Sequence, residues 1–107
     1  MEKNRGHRNK AWADKHTGFI ELRNNKNERV AVAMVDREDL FRCIMKHKWR
    51  LDKETQNVVS GRGGETTTLQ RFVRRSKPFL YDKACIAHLD GNPLNNKKEN
   101  LHYGNLN

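Results

Sequence analysis

Apolar and polar residues alternate in two short runs near the start of the chain, and the spacing then changes. Residues 18–22 (GFIEL) and 29–35 (RVAVAMV) have the pattern of strands, and the polar NNKN between them contains Asn, which tolerates the left-handed backbone of tight turns. From residue 36 to 49 the spacing becomes helical, with Asp36 as a natural N-cap. The apolar positions of this stretch are Leu40, Phe41, Ile44 and Met45. The pattern predicts a β-hairpin with one amphipathic helix packed on it.

The rest of the chain has shorter apolar runs. Residues 49–73 are typical of further strands with polar turns, and GRGG (61–64) is a flexible tip with an exposed Arg. CIAH (85–88) predicts another strand, and the asparagines after it are suited to bonding the backbone of a long irregular loop. We therefore predict an α+β fold, with a small antiparallel sheet and one packed helix, followed by a ββ hairpin with an Asn-rich loop.

Composition fits one small domain with a modest core. The chain has 107 residues, of which 35% are hydrophobic and 33% charged. Residues 1–17 are basic with little periodicity, so we expect a flexible basic arm there and a single domain over residues 18–107. No run approaches the roughly 20 apolar residues of a membrane span, and the N-terminus lacks the apolar stretch of a secretory signal. Cys43 and Cys85 stand apart in apolar contexts, which predicts free buried thiols in a reducing compartment.

The net charge of +9 makes a polyanion the expected partner. A basic excess of this size on a small domain is typical of nucleic-acid binding, and a merely lysine-rich surface is the alternative. The charge is concentrated in residues 71–77 (RFVRRSK), where basic residues alternate with apolar ones. The residues expected to contact DNA phosphates are Arg62, Arg71, Arg74, Arg75, Lys77, Lys97 and Lys98.

The segment HLDGNPLNNKKENL (88–101) resembles the first two elements of the HNH nuclease motif, and is most similar to phage- and intron-type HNH homing endonucleases. In that family a strand carries the catalytic His, a D-G-N loop follows, and an N-L pair opens the returning strand. The matching positions are His88, Asp90, Gly91, Asn92, Asn96, Asn100 and Leu101. Over residues 18–103 the similarity implies a sheet and helix like those of the Apetala-type plant DNA-binding domain, leading into the HNH hairpin.

The resemblance implies phosphodiester hydrolysis with one divalent metal, Mg²⁺ or Mn²⁺. His88 would be the general base, and Asn100 would orient the loop. The sequence departs from the family where metal is bound: Ala87 replaces an Asp or His, and the helix that carries the second ligand has no counterpart, so that the ββα motif lacks its α element. Asp90 and Asn107 are the remaining candidates for oxygen ligands. A further departure is Gln70, where the family commonly has His.

Three functions follow from the resemblance. The missing ligands favour a DNA-binding protein of the HNH type in which cleavage is weak or lost. The second is an active metal-dependent HNH endonuclease or nickase. The third is a phage protein that uses this fold to bind and inhibit a host protein. All three predict a protein that acts in the cytoplasm, that of a bacterial host if the chain is phage-encoded, and without a membrane partner.

Overall fold

The first part of the described chain forms a three-stranded antiparallel sheet. The computed structural model describes residues 8–75 and 85–103. Strands β1 (Ala11–Ala13), β2 (Thr17–Arg23) and β3 (Arg29–Asp36) lie in the order β1-β2-β3. The turn between β2 and β3 contains Asn27, whose φ is 64°. The predicted hairpin is confirmed, and an asparagine supplies its left-handed residue.

The ordered structure begins before the predicted domain boundary. The expectation of a flexible arm up to residue 17 is wrong for residues 11–13, which form β1 and pair with β2. Asn9 explains why this segment is held: its side-chain Nδ2 donates to Glu21 O and to Trp49 O, each at 2.9 Å. Its Oδ1 accepts from Trp49 N at 2.7 Å. One amide side chain thus joins β2 to the start of the next sheet. Residues 1–7 lie outside the described residues.

Helix α1 (Arg37–Lys46) packs on the first sheet. The approach is close at Gly18, where an added Cβ atom would lie 2.8 Å from Leu40 Cβ. Glycine is therefore required at this position in β2 for the helix to sit where it does. The helix ends earlier than predicted, because the backbone is already extended at His47.

A second antiparallel sheet follows the helix. It consists of β4 (Arg50–Leu51), β5 (Val58–Ser60) and β6 (Thr67–Thr68), with β5 in the centre. GRGG lies between the last two strands and contributes to a short 3₁₀ helix, Gly63–Glu65.

Residues 69–73, predicted as a strand, form the short helix α2 (Leu69–Val73) instead. The hydroxyl of Thr68 accepts a hydrogen bond from Arg71 N at 3.3 Å and so caps the first turn. Leu69 and Val73 are both buried, which is the i, i+4 spacing of one helical face rather than the period of two of a strand. The strand prediction was wrong because it followed the alternation of Phe72 with charged residues and overlooked the cap.

A hairpin of two short strands, β7 (Ile86–His88) and β8 (Leu101–Tyr103), completes the described chain. Its loop, residues 89–100, ends in a 3₁₀ turn, Lys98–Asn100. Cys85, just before β7, is exposed, so the prediction of two buried thiols is wrong for this residue. Cys43 is buried, and burial raises the pKa of its thiol to about 12.

One hydrophobic core connects the two sheets, both helices and the hairpin. Its fully or nearly fully buried members are Ile20, Leu22, Ala33, Val35, Cys43, Trp49, Val58, Leu69, Val73, Ile86 and Leu101. The chain has the predicted small α+β fold, with antiparallel sheets and one main helix. Among the helices of the described segments, none has the length and apolar character needed to cross a membrane.

Candidate functional site

Asn100, the last residue of the β7–β8 loop, ties the two ends of the loop together. Its Oδ1 accepts from Asp90 N at 3.0 Å. Its Nδ2 donates to Asp90 Oδ1 at 2.9 Å and to Asn95 O at 2.8 Å. The backbone adds a bond from Leu89 N to Asn100 O at 2.8 Å. A buried side chain thus uses both its oxygen and its nitrogen on the loop, which is the arrangement expected of a residue that fixes loop shape.

Asp90 is exposed, and its carboxylate bonds the same loop. Its Oδ1 accepts from Asn92 N at 2.8 Å and its Oδ2 from Asn95 Nδ2 at 2.9 Å, besides the bond from Asn100. These bonds lower the pKa of the Asp90 carboxyl, the Asn95 amide contributing most, then Asn92 N–H and Asn100. Both carboxylate oxygens are occupied in shaping the Asp-Gly turn, where Gly91 has a φ of 75°.

His88 stands at the end of β7, half-buried, with its ring held by one asparagine. His88 Nε2 lies 2.8 Å from Asn96 Oδ1, and the amide orientation of Asn96 is set because its Nδ2 donates to Pro93 O at 3.1 Å. Since an amide oxygen only accepts, the proton of this bond belongs to His88 Nε2. A neutral ring then has Nδ1 as its acceptor nitrogen, and no described residue bonds that atom. The arrangement can hold an imidazole ready to take a proton at Nδ1.

The loop is docked along the free edge of the first sheet. Met34 N in β3 donates to Leu94 O, and Asn96 N donates to Met34 O, each at 2.7 Å. Asp36 Oδ2 accepts from Lys98 N at 2.9 Å; this carboxylate makes no capping bond to α1, contrary to its predicted role. The hairpin with His88 is therefore positioned by the sheet rather than by its own two short strands.

Ligands for Mg²⁺ or Mn²⁺ were expected close to His88, at Asp90 and Asn107. No three His, Cys, Asp or Glu side chains come together within residues 8–75 and 85–103. Ala87 pairs with His102 across the hairpin and has no ligand atom. Asp90 already accepts three hydrogen bonds from its own loop. Asn107, the other predicted ligand, lies outside the described residues.

Two described members of the predicted basic cluster around α2, Arg71 and Arg74, are engaged within the protein. Arg71 is only 6% exposed. Arg74 Nη2 donates to Lys98 O at 3.0 Å and to Leu101 O at 2.7 Å, so it fastens α2 to the hairpin. Arg75 is exposed, with a φ of 61°, and Lys77 lies outside the described residues. Arg71 is buried on α2 together with Leu69 and Val73, and its contact with DNA stays a prediction.

The two loop lysines predicted to contact DNA also have partners within the protein. Lys97 Nζ donates to Thr17 Oγ1 at 2.8 Å. Lys98 Nζ lies 3.2 Å from Asp39 Oδ2 and 3.4 Å from Glu38 Oε2, which joins the loop to α1. Arg62, by contrast, is exposed beside the second sheet and is not part of the hairpin.

Sequence reasoning assigned roles to His88, Asp90 and Asn100, and the structure brings all three into one loop. It gave no role to Asn96, which is completely buried and orients the histidine. The available signal was its place among the positions that match the motif, where Asn96 was named without a function. Gln70 is buried in α2, and its Oε1 bonds no described residue.

Comparison with known proteins identified no relative of this chain. Neither the protein-family models, nor the curated proteins, nor the solved structures include a significant match to this chain.

Proposed function

We propose that this chain is a DNA-binding protein of the HNH endonuclease type in which phosphodiester cleavage is weak or lost. The observation that carries the proposal is the closed asparagine network: Asn100, at the end of the loop that presents His88, bonds Asp90 at its start and Asn95 in its middle. A loop locked in this manner holds a histidine in fixed orientation, and the net charge of +9 favours the approach of DNA.

The proposal that cleavage is weak rests on the donor set around His88. Mg²⁺ is usually held by one or two carboxylates together with water and phosphate oxygens. Of the residues nearest His88 in sequence, Ala87 offers no ligand and Asp90 is engaged by its own loop. A histidine poised as a base but without charge stabilisation opposite it contributes only part of the rate of phosphodiester hydrolysis.

An active nickase is the second candidate, and the orientation of His88 favours it. Its Nε2 proton is directed to Asn96, so Nδ1 is left as the proton acceptor. A general base needs that free nitrogen within hydrogen-bonding reach of water. On this alternative the missing ligands would come from DNA phosphates, or from residues outside the described segments.

Two measurements on the wild type and His88→Ala test the proposal. Binding to a short fluorescent DNA duplex, followed by anisotropy over a NaCl series, should be present in both proteins and weaken steeply with salt. Nicking of supercoiled plasmid with Mg²⁺ or Mn²⁺ should be slow or absent in both. Absence of DNA binding at low salt would refute the proposal. Nicking by the wild type that His88→Ala abolishes would replace it with the active nickase.

A further inference from the structure

A basic groove lies where the first sheet meets the second, away from the β7–β8 hairpin. It encloses about 690 Å³ between the ends of β1 and β2 on one side and β4 and β5 on the other. Exposed cationic side chains from four separate parts of the chain line it: Arg8, Lys10, Arg23, Lys48, Arg50 and Arg62. Apart from Arg62, these residues were not predicted to bind DNA, because they are scattered in sequence and only the fold brings them together.

The groove holds far more positive charge than its own anions can neutralise. Of the described residues that line it, Glu21 has the one carboxylate. Glu21 is buried and already bonded by Arg23 at 2.6 Å and by Arg29 at 2.7 Å, and the Arg23 bond, followed by the Arg29 bond, lowers the pKa of that carboxyl. The Arg50 guanidinium is partly used on Gly61 O at 2.9 Å. Four of the cations make no hydrogen bond or ion pair with any described residue: Arg8, Lys10, Lys48 and Arg62.

The chemistry of the lining points to phosphates rather than bases. Proteins that bind single-stranded nucleic acid usually provide exposed aromatic rings on which the bases stack. Trp49 is the aromatic residue that lines this groove, but it is 2% exposed and its indole N–H donates to Cys43 O at 3.1 Å. Its ring face is therefore closed to a base. Concentrated, unpaired cations in a concave surface attract a regularly spaced polyanion, as the backbone of a duplex is.

The groove and the hairpin lie at opposite ends of the β2–β3 pair. Arg23 is the last residue of β2, at the turn, whereas the loop with His88 docks at Met34 and Asp36 near the other end of β3. At about 3.4 Å per strand residue, the seven steps from Arg29 to Asp36 separate them by roughly 24 Å. A ligand that fills the groove therefore does not need to touch His88.

We propose that this groove is the principal contact of the protein with the phosphate backbone of duplex DNA, in place of the cluster at residues 71–77. The inference rests on the proposed DNA-binding function and assigns its surface. It also implies binding with little sequence preference at this contact, because phosphates carry no base information.

The test compares two double variants that lose the same charge. Lys48→Ala with Arg62→Ala removes two unpaired groove cations; Lys46→Ala with Lys53→Ala removes two exposed lysines that do not line the groove. Affinity for a fluorescent duplex of random sequence is measured by anisotropy over a NaCl series, and thermal melts confirm that each variant is folded. The groove variant should bind roughly tenfold more weakly or worse at low salt, with a log–log salt slope smaller by about 1.8, since each lost phosphate contact removes about 0.9. The control variant should stay within about twofold of the wild type, because it removes no phosphate contact.

The possible failures separate the two proposals. Equal losses in the two variants, or no loss in the groove variant while the wild type binds DNA, would overturn the groove assignment and leave the proposed function standing. A wild type that binds no DNA would overturn both. Tighter binding to a single strand of the same sequence than to the duplex would overturn the choice of duplex backbone as the ligand.

Discussion

The asparagine-rich loop and the basic groove are both polar surfaces, but their side chains are used in opposite ways. In the loop, Asn100 and Asp90 direct their side-chain polar atoms to each other or to nearby backbone. Around the groove, cations such as Lys48 and Arg62 have no partner among the described residues. The polar atoms of the loop find their hydrogen-bond partners within the protein. The groove has positive charge that an anionic ligand can neutralise.

The loop residues stabilise the fold, whereas the groove residues are available to bind an anionic ligand. A buried polar group stabilises a fold only when its hydrogen bonds are met, because losing them costs more than making them gains. An exposed cation without a partner contributes little to folding and keeps its full charge for an approaching anion. We therefore expect substitutions in the loop to change stability and substitutions in the groove to change affinity.

The largest expected effect is on stability, from Asn100→Ala. The change leaves Asp90 N and Asn95 O without their side-chain partner and releases the two ends of the loop. We expect the free energy of unfolding to fall by roughly 2 kcal/mol, because a buried polar group left unpaired costs about 1–3 kcal/mol. Urea denaturation followed by circular dichroism measures it.

Asn25→Ala is the matched control, since Asn25 is an exposed asparagine at the rim of the groove with no hydrogen bond to a described residue. Its unfolding free energy should lie within about 0.5 kcal/mol of the wild type, as for ordinary surface changes. Equal losses from the two asparagine variants would contradict the contrast between the loop and the groove.

A second, smaller effect concerns the protonation of Asp90. The hydrogen bond from Asn95 contributes most to the lowered pKa of this carboxyl, so Asn95→Ala should raise that pKa toward its ordinary value. A depressed pKa in the folded state contributes stability that is present above the unfolded value of about 3.9 and is lost as pH falls through the folded value. The variant should therefore lose less stability than the wild type when acidified below about pH 4.

Carbon-detected NMR titration of the Asp90 carboxyl measures this pKa directly, and thermal melts between neutral and acidic pH measure its consequence. Asp52 is an internal control, because the Thr55 hydroxyl and then Thr55 N–H lower its pKa in a different hairpin. Its titration should be the same in both proteins. An Asp90 pKa that does not move in Asn95→Ala would show that the Asn95 bond is not what holds the carboxylate.

The sequence predicted best where local pattern decides structure. The β2–β3 hairpin followed from alternation and an Asn-containing turn, and the Asn-rich loop followed from the capacity of asparagine to bond nearby backbone. These contacts join residues that are close in the chain, so a short stretch of sequence is enough to predict them.

Prediction failed where distant segments decide. RFVRRSK was interpreted as basic surface residues alternating with apolar anchors, but residues 69–73 form a helix on which Arg71 is buried, and the hairpin engages Arg74. The groove was not predicted, because its cations lie between residues 8 and 62 and are far apart in the sequence. Only the fold brings them together. Partner choice for a long charged side chain depends on tertiary neighbours, and a charge run alone does not reveal them.

The smallest expected effect is the response of stability to salt. Unpaired cations that share the groove repel one another in the folded state, and salt screens this repulsion, with a Debye length of about 10 Å at 0.1 M. The Lys48→Ala/Arg62→Ala variant should therefore be as stable as the wild type or slightly more stable at low salt, by less than about 0.5 kcal/mol, and should gain less than the wild type when NaCl is added. The Lys46→Ala/Lys53→Ala variant loses the same net charge outside the groove and should keep more of the wild-type salt response.

Melting temperatures of the three proteins over a NaCl series, without DNA, make the comparison. A groove variant that is clearly less stable than the wild type at low salt would mean that these cations support the fold, as Arg74 does, and are not held free for a ligand.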